Sequence, residues 1–175
     1  MRIRYVLLLL LALPIALGPV PAAAEPVPLP PRVVLWSAPL EGTLQVTRPF
    51  DAPLTRYAAG HRGVDLGGAR GSPVVAAGDG TVVFAGLVAG RPVVSIDHAG
   101  GLRTTYEPVI PNVRAGQAVA RGSPIGALST GHAGCPRQAC LHWGLRRGDT
   151  YLDPLSLLEA PRVRLLPVPP LVSGD

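Results

Sequence analysis

Two short segments, His61–Asp65 (HRGVD) and Cys140–Gly144 (CLHWG), carry the residues that decide our reading of this chain. An extended strand rises about 3.3 Å per residue, so His61 and Asp65 would lie roughly 13 Å apart unless the chain turned between them. Gly63 tolerates such a turn. Histidine and aspartate are zinc ligands, and a set of His61, Asp65 and His142 would leave one tetrahedral position open. We therefore predict a metal site, although a bare H-x-x-x-D also arises by chance in loops.

Glycine-punctuated runs of β-branched residues fill the chain between these segments. The runs Val74–Ala77, Thr81–Leu87 and Val93–His98, followed by Leu102–Glu107, are separated by short glycine turns and predict an antiparallel meander. The tetrapeptide Arg-Gly-Ser-Pro occurs at 70–73 and at 121–124, each time before a predicted strand, which indicates a weak internal duplication.

Three stretches in the right order resemble the lysostaphin/LytM-type zinc endopeptidases, which cut peptidoglycan peptides. They are Gly60–Leu66 (GHRGVDL), Gly71–Val83 (GSPVVAAGDGTVV) and Leu141–Gly144 (LHWG), and the resemblance covers roughly residues 45–158. It implies a mainly β fold, an antiparallel sheet or sandwich of the duplicated-hybrid-motif type. It also implies one zinc ion bound by His61, Asp65 and His142.

Two further catalytic histidines of that family have no counterpart at the matching positions. They fall on Pro108 and Cys140, so the resemblance supports the metal ligands better than the proton transfer. His132, in a glycine-flanked loop just before the second segment, is the remaining candidate for proton work, and it can equally be an exposed loop histidine. Tyr106 is a candidate for steadying an oxyanion. Glu107, next to Pro108, is a weaker candidate base. Adjacent strand residues face opposite sides, so its side chain would point away from the direction in which the family histidine points.

Three other side chains are expected to be structural. His98 reads as a turn histidine because the zinc set is already complete without it. Trp143 should face away from His142 and lie in the core, and Trp36 is expected to pack on the domain.

Cys135 and Cys140 are the only cysteines, and an even pair in a secreted chain predicts one disulfide. A rival interpretation notes that Cys140 and His142 are two residues apart on a strand and share one face. Cys140 would then be a fourth zinc ligand that closes the site.

The chain divides into four segments. Residues 1–24 have the layout of a signal peptide, with Arg2 and Arg4 before an apolar run and Ala24 as the expected cleavage point; an uncleaved anchor is the alternative. Residues 25–43 read as a Pro-rich linker, 44–158 as the metallopeptidase domain and 159–175 as a disordered tail. Asp153 and Pro154 predict a short C-terminal helix through Leu158.

Composition narrows the class of function. The chain contains no lysine, which excludes the lipoyl and biotin carrier domains that its glycine-rich strands otherwise suggest. Removal of the leader leaves 14 basic and 11 acidic residues, a formal charge of +3, which is compatible with an anionic cell wall and equally with ordinary solubility. We expect a peptidoglycan peptide as partner, no nucleic acid, no stable membrane span after cleavage, and a monomer.

The leading interpretation is a secreted zinc metallo-endopeptidase of the cell wall. The alternative is a catalytically weak or inactive domain that binds peptidoglycan or regulates a hydrolase and keeps the metal site. Loss of general acid–base help slows a metalloenzyme by about 10²–10⁴-fold without removing the Lewis acidity of the metal, so the sequence leaves both open.

Overall fold

The computed structural model describes residues 35–55 and 57–159, and these form two antiparallel sheets. The larger sheet has the order β1-β2-β10-β6-β5-β4-β8, with β11 paired to β10. Its strands are β1 Val46–Arg48, β2 Gly63–Gly68, β4 Gly80–Val88, β5 Arg91–Asp97, β6 Leu102–Glu107, β8 Ala118–Val119, β10 Ala139–Arg147 and β11 Thr150–Leu152. The smaller sheet has the order β3-β9-β7, with β3 Pro73–Val75, β7 Val109–Pro111 and β9 Pro124–Leu128. The mainly antiparallel β fold is confirmed.

The predicted meander is present in strands β4, β5 and β6. Ala89 and Gly90 join β4 to β5 with φ values of 49° and 79°, the two-residue turn that suits the twist of a hairpin. Val74–Ala77 was wrongly expected in the same meander. It contributes Val74 and Val75 to β3, which belongs to the smaller sheet because it pairs with β9 and not with β4.

The two Arg-Gly-Ser-Pro copies lead into β3 and β9, and these two strands pair with each other, with Val74 opposite Gly126. Gly71 and Gly122, the glycines of the two copies, both adopt left-handed φ values, 84° and 79°. The related sequences therefore occupy related places, each at the start of one of two paired strands of the smaller sheet.

The alternation along β10 separates a core face from a site face. Leu141, Trp143 and Leu145 are buried among the side chains of the hydrophobic core, and Trp143 has no exposed surface. His142 and Gly144 point to the opposite side of the sheet because successive strand residues alternate. Trp143 is a core residue, as expected.

A chain of polar contacts crosses the core behind the site. The backbone N–H of Ala77 donates to the Tyr106 hydroxyl at 3.0 Å, and Thr104 Oγ1 lies 2.9 Å from that hydroxyl and 2.7 Å from His98 Nε2. His98 Nδ1 donates to the Asp79 carbonyl at 2.8 Å. Burial lowers the pKa of His98 and raises the pKa of Tyr106 to about 12. His98 is thus a structural histidine, as expected.

The described domain begins earlier than residue 44. Leu40 is buried, Ser37 N donates to Ala77 O at 2.8 Å, and the Trp36 ring packs edge-on against His98 at 4.8 Å. The linker prediction for 25–43 is therefore wrong for residues 36–40, because their apolar side chains and backbone groups find partners on the domain.

The C-terminal helix is present as a 3-10 helix, Pro154–Leu157, and Asp153 caps it by accepting from the backbone N–H of Leu155 at 2.9 Å. The predicted leader, the first part of the linker and all of the tail after Glu159 lie outside the described residues. Within residues 35–55 and 57–159, no helix is long and apolar enough to cross a membrane.

The lowered pKa of His98 predicts a specific dependence of stability on pH. An unfolded histidine titrates near 6.5, so the unfolded chain takes up a proton that buried His98 resists, and stability falls as the pH drops below about 6.5. Denaturant unfolding of the metal-free protein at pH 8 and pH 5.5 should show a smaller loss for His98→Gln than for the wild type. An equal loss in both proteins would contradict this assignment.

Candidate metal site

Strands β2 and β10 bring the two sequence segments together. They are antiparallel neighbours, and their register sets Asp65 directly opposite His142. His61 lies just before β2, where its backbone N–H and C=O exchange hydrogen bonds of 2.7 and 3.0 Å with Asp51. The turn needed between His61 and Asp65 is made at Arg62, and β2 then runs straight from Gly63.

The three predicted ligands converge on one point. His61 Nε2 lies 2.9 Å from Asp65 Oδ1 and 3.1 Å from His142 Nδ1, and His142 Nδ1 lies 2.9 Å from Asp65 Oδ1. Ligands held at about 2.0–2.1 Å by a tetrahedral zinc ion stand roughly 3.3 Å apart. The observed triangle has nearly that size, and its three atoms are of the right chemical type.

The protonation pattern also favours a cation among these atoms. His61 Nδ1 is 2.6 Å from the Pro49 carbonyl, which can only accept, so Nδ1 carries the hydrogen and a neutral His61 presents a lone pair at Nε2. That lone pair faces an Asp65 oxygen, which is also an acceptor when ionised. A metal ion, or a proton, is needed to relieve this repulsion. A hydrogen bond from the second ring nitrogen to a backbone carbonyl, as His61 makes to Pro49, is a common feature of metal-bound histidines.

Electrostatics keep the carboxylate ionised. Burial raises the pKa of Asp65, but hydrogen bonds with His142 and His132 and the nearby imidazole of His61 more than offset burial and lower the pKa to about 2. Asp65 is therefore anionic near neutral pH, which is the form that binds a metal.

Gly63 has a different role from the predicted one. Its φ is not in the left-handed region, so it does not supply the turn. A Cβ at this position would lie 2.4 Å from the Trp143 carbonyl and 2.8 Å from His142 Nε2. Glycine is required because any side chain here would collide with the Trp143 carbonyl and the ring of His142.

His132 reaches the ligand cluster from the loop before β10. Its Nε2 lies 2.9 Å from Asp65 Oδ2, and its ring stacks on that of His142 with centroids 5.9 Å apart. The side chain is only 16% exposed, so the reading as a merely exposed loop histidine is wrong. It contacts the second oxygen of Asp65, while the first oxygen faces His61 and His142.

Tyr106 lies outside the site. It is fully buried on the core face of β6, and its hydroxyl is engaged by Ala77 and Thr104. The expectation that it could steady an oxyanion is wrong, because its ring lies on the core face of the sheet and the site lies on the opposite face. Its register partner on β10 is the core residue Trp143.

Glu107 differs from expectation, whereas Pro108 does not. Glu107 stands directly opposite His142, and residues opposite one another share a face, so it points to the site side after all. Its carboxylate forms an ion pair with Arg91 at 2.5 Å. Pro108, at the position of a family histidine, is buried and carries no ionisable group.

The cysteines form the predicted disulfide, with sulfurs 2.00 Å apart. Cys140 is therefore not a thiolate ligand, and the rival interpretation of a closed four-ligand site is wrong for this oxidised form. Sequence reasoning missed the Pro49 carbonyl and the Asp51 bridge that orient His61. Both act through the backbone, which leaves no side-chain signal in the sequence.

The geometry predicts that the purified protein binds close to one equivalent of zinc. His61→Ala and His142→Ala should abolish this binding, since each removes one of only three protein ligands. Metal analysis after dialysis measures it, and Asp97→Asn is a matched control because that carboxylate is paired with Arg103 instead. Absence of zinc from the wild type, under conditions that load other zinc proteins, would rule out the site.

Comparisons with known proteins agree with this geometry. An uncharacterized protein of Mycobacterium tuberculosis is 55% identical over 134 residues, which cover 74% of this chain and 54% of that protein. The DD-carboxypeptidase/endopeptidase Mpg of Neisseria meningitidis serogroup B is 32% identical, covering 66% of this chain and 25% of Mpg. This chain thus spans about half the length of the first of these relatives and a quarter of the second.

The catalytic domain of the antimicrobial peptidase lysostaphin from Staphylococcus simulans has a similar fold. Its TM-score is 0.55 at 24% identity, with 67% of this chain and 93% of that domain covered. The sequence pattern of peptidase family M23 matches residues 59–154, more than half of the chain. Because this match covers more than half of the chain, the chain belongs to peptidase family M23.

Proposed function

We propose that this protein is a secreted zinc metallo-endopeptidase that cuts peptide bonds in peptidoglycan. The observation that carries the proposal is the convergence of His61, Asp65 and His142 on one point, with ligand atoms 2.9–3.1 Å apart. Three protein ligands leave a coordination position for water or substrate, which distinguishes a catalytic zinc from a structural one.

The metal, when bound by these three side chains, would polarise a scissile carbonyl and make its water a nucleophile near neutral pH. The chain supplies the rest. Pro49 holds the tautomer of His61 through its carbonyl, and Asp65 stays ionised at neutral pH. Core packing of Trp143, on the opposite face, holds β10 in place beneath His142.

The site face of the larger sheet offers a path for an extended peptide. One row of cross-strand neighbours starts beside the ligands and consists of Gly63, Gly144, Thr105, Ser95 and Phe84. The first two have no side chains, and the hydroxyls of Thr105 and Ser95 lie 3.2 Å apart. Phe84 is 38% exposed at the far end. The hydroxyls of Thr105 and Ser95 would contact a peptide lying along this row, whereas the ring of His142 fills the space beside Gly63.

His132 is the best placed group for proton transfer. Ionised Asp65 only accepts, so the contact at Oδ2 assigns the hydrogen to His132 Nε2 and leaves Nδ1 of a neutral His132 as an acceptor. An imidazole oriented by a carboxylate in this way is a familiar general base. It would take over work that Pro108 and Cys140 cannot do.

The named relatives support the proposed substrate and location. The M23 relatives include a named DD-carboxypeptidase/endopeptidase and a lipoprotein homolog, which supports a peptidoglycan peptide as substrate and a place outside the cytoplasm. A disulfide adjacent to the site suits an oxidising compartment. We expect the mature protein to act as a monomer, without nucleic acid and without a stable membrane span.

A second candidate is a domain that binds peptidoglycan or regulates a hydrolase but does not cut. The observation in its favour is that both family histidine positions carry residues without a free proton acceptor: Pro108 is buried, and Cys140 is bonded to Cys135. The metal ligands and His132 favour the enzyme.

The proposal predicts that the zinc-loaded mature protein releases new amino termini from purified peptidoglycan, detected by mass spectrometry. Chelation and His142→Ala should both abolish release, because they remove the Lewis acid. No new termini from fully zinc-loaded protein, together with retention on sedimented cell wall, would reject the enzyme in favour of the binding domain.

The proton role predicts that His132→Ala lowers turnover by about 10²–10⁴-fold when zinc is saturating. Zinc content, measured on the same sample, must equal that of the wild type, so that the loss reports on proton transfer and not on an empty site. Undiminished turnover by zinc-saturated His132→Ala would keep the enzyme and discard this residue.

A further inference from the structure

The loop between β9 and β10, residues 129–138, brings His132 to the metal ligands although it forms no strand pairing itself. Gly131 and Gly134 flank His132 with left-handed φ values of 108° and 77°, conformations that glycine adopts readily. The single backbone hydrogen bond found within its described residues is long, 3.4 Å from Cys135 N to His132 O. The loop's own backbone therefore does little to hold the imidazole in place.

The disulfide supplies that restraint. Cys135 follows His132 by three residues, and Cys140 lies on β10 two residues before the ligand His142. The bond joins Cys135, within the loop, to β10, the strand that carries His142. Cys140 is fully buried under the loop, whereas Cys135 is partly exposed.

The contact held in this way matters for the metal site. His132 Nε2 holds Asp65 Oδ2 at 2.9 Å, and this leaves Oδ1 directed between His61 and His142. Hydrogen bonds that orient a ligating carboxylate are typically worth 10–100-fold in metal affinity. Without the disulfide, the loop would be restrained only at its two strand ends, and the larger number of accessible loop conformations would weaken this contact.

We propose that the Cys135–Cys140 disulfide is a redox-controlled clamp that positions His132 on Asp65 and so sets the affinity of the site for its metal. This inference rests on the proposed zinc site. His132 acts here as a positioning residue, since it reaches the metal through Asp65.

Release of the clamp is ordinary thiol–disulfide exchange with a dithiol. A thiolate of the reductant attacks the exposed sulfur of Cys135, and the Cys135–Cys140 bond breaks with departure of the Cys140 thiolate, which takes up a proton. The second thiol of the reductant then displaces Cys135. The protein gains two electrons and two protons, and the dithiol becomes a disulfide.

The test measures zinc affinity by competition with a chromogenic chelator, without any assay of activity. Four proteins are compared: wild type, His132→Ala, Cys135→Ala/Cys140→Ala, and the variant that combines all three changes. Alanine replaces cysteine so that no free thiol can bind zinc, and Gln138→Ala, an exposed change in the same loop, is the matched control.

We expect His132→Ala and the double cysteine variant each to bind zinc 10–100-fold more weakly than the wild type. The combined variant should be no weaker than either, because both changes remove the same contact. Gln138→Ala should match the wild type. Should the double variant not fold, wild type reduced with a dithiol and then freed of it without air replaces it, with cobalt substituted for zinc so that ligation by a protein thiolate is visible in the spectrum.

Each result is decisive. Wild-type affinity in the double cysteine variant, with zinc bound by the wild type, overturns the clamp and leaves the proposed function intact. Additive losses in the combined variant also overturn it, because the disulfide would then act through something other than His132. Tighter binding on reduction, with a cobalt–thiolate band, would mean that Cys140 joins the ligands. A wild type that binds no zinc contradicts both proposals.

Discussion

The structure depends on holding three atoms that can bind a metal within about 3 Å of one another at the border of the core. His61 Nε2, His142 Nδ1 and Asp65 Oδ1 converge there, and His61 and Asp65 are both almost completely buried. The lone pair of a neutral His61 at Nε2 faces an ionised Asp65 oxygen, and two acceptors so close repel each other unless a cation lies between them. The surrounding fold therefore favours a cation at this point.

Strand register is what enforces the convergence. Asp65 and His142 are opposite each other in a ladder that runs from Gly63 to Gly68, and a slip of one residue would turn His142 into the core and Trp143 out of it. The burial of Trp143, Leu141 and Val64 on the far face makes such a slip costly. Hydrophobic packing on one side of the sheet thus sets the geometry of polar atoms on the other.

The ligands and most strands could be predicted from the sequence because their signals are local. The H-x-x-x-D pattern, the L-H-W-G segment and the Ala89-Gly90 turn each act within a few residues. Tyr106 and Glu107 were misread because alternation along a strand separates two faces but does not say which is the core. That choice depends on β10, more than thirty residues later in the chain.

The sequence indicated only that His132 lies in a loop near the metal site, and it did not predict the contact with Asp65. This contact joins residues 67 positions apart through an irregular loop, whose path depends on a disulfide and two glycines with left-handed backbone. Similarly, the place of β3 in the smaller sheet follows from pairing with β9 and not from its own residues. Non-local pairing of this kind has no signature within a single segment.

We expect the metal site to be open and to contain only nitrogen and oxygen ligands. X-ray absorption spectroscopy of the zinc-loaded, oxidised protein tests this expectation most directly, because zinc–nitrogen and zinc–oxygen distances of about 2.0–2.2 Å are resolved from zinc–sulfur distances of about 2.3 Å. We expect zinc to be coordinated by nitrogen and oxygen atoms alone, including two imidazoles. A sulfur ligand, or a shell without imidazole, would contradict it.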